Sequence, residues 1–206
     1  AEAPFTAAGK AKFQGNKPGY GPRAVPPAQG NDPMGTCDPL GIPRLLNTEV
    51  ISPHQTMEIV QIPGRMIQFF EWHHDWREVF SDGRALPAAD QVEPTWNGTS
   101  VGRWEGNTLV VDVASFSGDT WLDRSGNYHS DALHVVERYT RQDATTLIHR
   151  SFSAGMHIAA LLVREEGFAA GRGPFHRMAQ QLRGQQQHRI FRLNVGAHPE
   201  ATTHIR

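Results

Sequence analysis

Cysteine is almost missing: Cys37 is the single one in 206 residues. That excludes an intrachain disulfide framework and any cysteine-built zinc site. Charge of one sign is missing as well. Twenty basic residues stand against 21 acidic ones, a formal net charge of -1. Such a balance leaves no basic footprint for nucleic acid or for an anionic membrane surface. No apolar run approaches the ~20 residues that a membrane-spanning helix needs. Neither a Walker A loop nor a dinucleotide fingerprint occurs, which argues against a nucleotide-dependent enzyme, and His-Glu-x-x-His is absent too. Nothing in the first thirty residues has the apolar core of an uncleaved secretory signal.

Proline and glycine are plentiful, and they are unevenly spread. Residues 1–43 hold eight prolines and seven glycines. Proline fixes φ and removes a hydrogen-bond donor, so a regular ladder or long helix is not expected there. Residues 1–47 read as a Pro/Gly-rich arm. It is extended around Lys17-Pro-Gly-Tyr-Gly-Pro-Arg23 and runs in tight turns from Gly30 to Arg44. Phe13, Tyr20, Met34, Leu40 and Ile42 give it apolar anchors, so it is expected to lie on a core rather than swing free.

Residues 48–152 read as the core, and they read as β-structure. Thr56–Ile62 and Arg65–Trp72 flank the turn Pro63-Gly64, and the apolar pattern resumes at Trp76–Phe80. Thr99–Glu105 and Thr108–Ala114 flank Gly106-Asn107, a two-residue connection suited to a primed hairpin turn. Leu133, Val135, Glu137 and Tyr139 alternate with His134, Val136, Arg138 and Thr140, and Thr146–Phe152 follows. Strands at this spacing predict a mainly β fold, an antiparallel barrel or strongly curved sheet. Residues 153–206 are atypical. A short helix is expected at Phe175–Gln187, and a last strand at Arg189–Val195.

Two stretches carry chemistry. In Glu71-Trp-His-His-Asp-Trp-Arg77, a continuous strand would put Trp72, His74 and Trp76 on one face and Asp75 and Arg77 on the other. An imidazole between two indoles is partly desolvated and stays neutral, as a general base or metal ligand must. The second stretch is the long loop 118–131. Asp119 and Asp123 offer hard oxygen ligands for calcium, although not at EF-hand spacing. His74 and His129 with a carboxylate would match a three-ligand zinc site, so a divalent ion, calcium or zinc, is admitted as a cofactor. Trp96, Trp121 and the Trp72/Trp76 pair are candidates to line a pocket for an apolar or sugar ligand, and Trp104 is expected in the core.

Several segments are similar to an uncharacterised family of exported, β-rich proteins of soil bacteria. They are Lys17–Arg23, Gly30–Pro33 with Cys37–Arg44, Phe70–Arg77 with Asp82-Gly83-Arg84, Ser100–Val111, Thr120–Asp123, His129-Ser130 and Glu137-Arg138-Tyr139. The likeness covers roughly residues 9–148, and the chain departs from it beyond. It implies a β-rich domain and a periplasmic or secreted location.

The expectation drawn from all this is an extracytoplasmic hydrolase of a small ester, lactone or sugar derivative, with metal assistance admitted. His74 would be the base, with His129 beside it and Asp82 or Asp131 as orienting carboxylate, and Arg77 would face an oxyanion. Trp72, Trp76, Trp121 and Arg84 would hold the ligand. The rival is a non-catalytic β-barrel module that binds a small molecule. A third reading is an interaction protein that uses its proline-rich arm.

Overall fold

The computed structural model describes residues 5–46, 57–143, 146–154, 162–170 and 189–195. After a helix α1 (Ala7–Gly15) come nine strands: β1 (Met57–Ile62), β2 (Arg65–Phe70), β3 (Trp76–Phe80), β4 (Thr99–Glu105), β5 (Thr108–Ala114), β6 (His134–Arg141), β7 (Thr146–Ala154), β8 (Leu162–Ala170) and β9 (Arg189–Val195). The protein is mainly β, as expected. Strands β1 to β7 make one strongly curved sheet in chain order, and β8 and β9 continue it until β9 meets β1. Most neighbours are antiparallel. Three pairs are parallel: β3 with β4, β8 with β9, and β9 with β1. The helix expected at Phe175–Gln187 lies outside the described residues. Among those residues, no helix is long and apolar enough to cross a membrane.

The period-2 alternation of the sequence fills the concave side. Met57 and Ile59 of β1, Met66 and Phe70 of β2, Val79 of β3, Leu109, Val111 and Val113 of β5, Val135 and Tyr139 of β6, and Leu147 of β7 form one apolar cluster. Gly102 of β4 belongs to the same layer. A Cβ there would stand 3.0 Å from Val79 and 3.2 Å from Leu109, so the absent side chain lets β4 pack closely. The expected Gly106-Asn107 hairpin is present, with Gly106 at φ 59 and Glu105 opposite Thr108. Trp104 departs from expectation. It sits near the hairpin end, beyond the packed layer, and is 37 % exposed.

The run 65–80 is not one strand. A turn at Trp72–His74 divides β2 from β3, and His73 and His74 both take positive φ, 55 and 53. The reversal pairs Phe69 with Trp76 and ends the strict alternation predicted for Glu71–Arg77.

The arm lies on the core, and ahead of its Lys17–Arg23 stretch it carries the helix α1. The Thr6 hydroxyl accepts from the Gly9 amide and caps α1. Further along, Leu40, Ile42, Leu45 and Leu46 join the apolar cluster. Arg44, 1 % exposed, donates to both oxygens of Asp32 at 2.8 and 2.7 Å. The long loop between β5 and β6 meets the arm from the other side. Asn16 Nδ2 donates to the Gly126 carbonyl at 2.8 Å, the Tyr128 hydroxyl to the Gly9 carbonyl at 3.1 Å, and the Lys12 ammonium lies 4.6 Å from the Tyr128 ring centre.

Candidate functional site

Strands β3 and β4 touch over only two positions, Val79 with Ser100 and Phe80 with Val101. Towards its start, β3 runs on from Trp76 to Glu78 with no partner in β4. A cleft of about 380 Å³ opens at this seam. Asn97, in the chain just before β4, bridges the gap. Its Nδ2 donates to the Asp75 carboxylate at 3.1 and 3.2 Å and to the Trp76 carbonyl at 3.3 Å. Asp75 also accepts from the Trp76 amide at 2.7 Å. Trp76 and Trp96 line the cleft and are 56 % and 41 % exposed. Large aromatics left this open beside a concavity are the usual currency of ligand contact.

The arm helps to place Trp96. Gly41, at φ +69, runs so close to it that a Cβ would stand 2.5 Å from the Trp96 carbonyl oxygen. That carbonyl accepts from the Ile42 amide at 3.2 Å. Pro39 of the arm lines the cleft as well.

Behind the seam, the barrel interior holds a buried polar network. Arg77 and Ser100 line the cleft, yet both are almost fully covered. The Arg77 Nε donates to Gln68 Oε1 at 2.5 Å, and its Nη2 donates to Glu137 at 2.5 Å and to the Tyr139 hydroxyl at 2.9 Å. His149 Nε2 stands 3.7 Å from the other Glu137 oxygen. Four strands thus meet on one guanidinium and its counter-ion. Burial alone would push the Glu137 carboxyl up. Arg77 and His149 outweigh it and hold the group below its ordinary value. Burial pushes the Tyr139 phenol up, so it stays a neutral hydroxyl. Sequence alternation had set Glu137 and Tyr139 on one face with Leu133 and Val135. A carboxylate on an otherwise apolar strand face is the sequence signal for this network.

The residues expected to work together are scattered. His74 is exposed rather than held between indoles, and its imidazole makes no hydrogen bond among the described residues. Trp72 stacks on His73 at 5.3 Å and packs partly buried against the core. Asp82 pairs with Arg84 at 2.6 Å, and the two are exposed. Arg84 lies 3.8 Å over the Phe80 ring. Asp131 is exposed. His129 is buried in the loop between β5 and β6. Its Nδ1 bonds the Ser130 carbonyl at 2.9 Å, so Nδ1 carries the proton and Nε2 accepts from the Thr120 hydroxyl at 2.7 Å. Burial lowers its pKa, and the ring is a neutral structural pin. Trp121, expected to meet a ligand, is 5 % exposed and bridges to Tyr128.

The metal expectation fares similarly. Asp119 accepts from the Ser117 hydroxyl. Asp123 closes an Asx turn by accepting from the Ser125 and Asn127 amides and from Asn127 Nδ2. Among the described residues, no three of His, Cys, Asp and Glu gather where they could hold an ion. Arg77, expected to face an oxyanion, lines the cleft with its charge turned inward onto Glu137.

Gly98-Thr99-Ser100-Val101-Gly102 spells the Gly-x-Ser-x-Gly of a nucleophile elbow. An elbow puts its serine on a sharp turn from strand into helix. Ser100 instead lies inside β4, opposite Val113 and Val79, with its hydroxyl buried and without a hydrogen-bond partner among the described residues.

Comparison of the chain with protein-family models, with curated proteins and with solved structures found no match.

Proposed function

We propose that the protein is a small-ligand-binding β-barrel module whose ligand lies in the β3–β4 cleft against Trp76 and Trp96. The observation that carries this reading is the cleft itself, with two exposed indoles on a wall braced by Asn97 and Asp75. Among the described residues, the interior behind it is occupied by apolar side chains and the Arg77 network, which favours a ligand at the seam over one deep in the barrel. Binding is favoured over hydrolysis because no hydrogen bond joins His74, Asp82, His129 and Asp131, and because Ser100 is not on an elbow. The shared motifs add a periplasmic or secreted location to the proposal.

The test is a titration of indole fluorescence against sugars, esters, lactones and small organic ions. A ligand of this site loses about tenfold or more in affinity with Trp76→Ala and with Trp96→Ala, as expected for aromatic anchors. Both residues are exposed, so circular dichroism should be unchanged. A ligand that binds both variants as it binds the parent would place the site elsewhere. Turnover of chromogenic esters that disappears in His74→Ala would favour hydrolysis instead.

A further inference from the structure

This inference rests on the ligand reading of the cleft and names the charge of the ligand. Three charged residues line the cleft: Asp75, Arg77 and Glu78. Arg77 is turned inward and paired with Glu137. Glu78 is paired with Arg65 at 2.7 Å. Asp75 alone has no cationic partner among the described residues. The hydrogen bonds to its carboxylate come from neutral donors, the Trp76 amide and Asn97 Nδ2. One negative charge is therefore left uncompensated on a half-buried wall.

Both indoles line the same cleft as that charge. Trp76 follows Asp75 in the chain, and Trp96 precedes Asn97, so both are one residue from the Asp75–Asn97 bond. An indole face carries negative quadrupole density and attracts a cation placed over it. The same wall already shows this attraction. The ring of Phe80, which also lines the cleft, has the Arg84 guanidinium at 3.8 Å and that of Arg65 at 5.8 Å. An anion would meet Asp75 and two electron-rich faces. A neutral polyol would gain hydrogen bonds but none of the charge attraction.

We propose that the cleft binds a small organic cation, an alkylated or quaternary ammonium group lodged against Trp76 and Trp96 with Asp75 as its counter-ion. A cleft of about 380 Å³ has room for such a head group with a short tail.

Calorimetric titration with choline and with its neutral carbon isostere, 3,3-dimethylbutan-1-ol, isolates the charge, because the two differ little in shape. Glucose serves as the polyol arm. Choline should bind about tenfold more tightly than the isostere. Asp75→Asn should remove most of that preference while keeping an acceptor for the Trp76 amide. Should Asp75→Asn fail to fold, the wild-type protein still decides: choline affinity should fall with added salt, and affinity for the isostere should not. Equal or tighter binding of the isostere or of glucose would overturn the cation while leaving the ligand reading intact. If no probe of any class binds, both fall together.

Discussion

Arg77 is where the inside and the outside of the barrel wall meet. It neighbours Trp76 in β3, yet its guanidinium reaches Gln68, Glu137 and Tyr139 on the concave side. A charge in such a place is costly unless paired, and removal of one partner leaves the other stranded. Glu137→Gln should therefore cost about 3–5 kcal/mol, read as a lower urea midpoint with an unchanged slope. The same residue sets an acid limit. Its folded pKa is depressed below the ordinary 4.5, so its contribution is complete above that value and is lost as pH falls through the lower folded value. Unfolding free energy measured between pH 5 and 2 should drop in the parent, with a shallower slope in Glu137→Gln. Little of this was legible beforehand. Arg77 could be singled out by its aromatic company, but only the pairing across β2, β3, β6 and β7 brings its partners to it.

At the scale of the element, local sequence foretold what local rules govern. Gly106-Asn107 demanded a tight connection, and β4 and β5 pair as expected. The hidden parts depend on contacts distant in sequence. Consecutive positive φ at His73 and His74 ends a run that looked continuous, so the predicted faces of Glu71–Arg77 no longer applied. Thr6 and the following alanines begin a helix that the surrounding prolines and glycines concealed. Trp76 and Trp96 are both pocket candidates by residue type, but 19 residues lie between them, and the structure brings them to one cleft. Gly41 gives this a direct test. Alanine there would have to hold φ +69 and would drive its Cβ into the Trp96 carbonyl. The left-handed conformation alone costs about 1–2 kcal/mol. Gly41→Ala should lower the melting temperature and weaken ligand binding at the cleft, although Gly41 itself does not line it. Normal binding in a folded Gly41→Ala protein would show that Trp96 is not positioned by the arm.

For the whole molecule, the arm counts as part of the core. Four of its apolar residues belong to the main cluster, and Arg44 is buried against Asp32. Amide exchange should reflect this. The Ile42, Leu45 and Leu46 amides, bonded to Trp96, Gly41 and Pro43 respectively, should exchange as slowly as those of β5. Exchange as fast as in the exposed turn at Pro26–Gln29 would mark the arm as an independent strap. Asp32→Ala should lower stability by about 2 kcal/mol or more by removing both charge-assisted hydrogen bonds to the buried Arg44 guanidinium.

The stretch from Ser81 to Gly98 joins two parallel neighbours that share only two ladder positions. Its middle, around Ala88–Gln91, is exposed and supplies nothing to the cleft wall. Length and composition there can vary at small cost to the barrel, provided Trp96 and Asn97 still return to β3. An insertion there should therefore leave the cleft wall and the strands behind it in their present register.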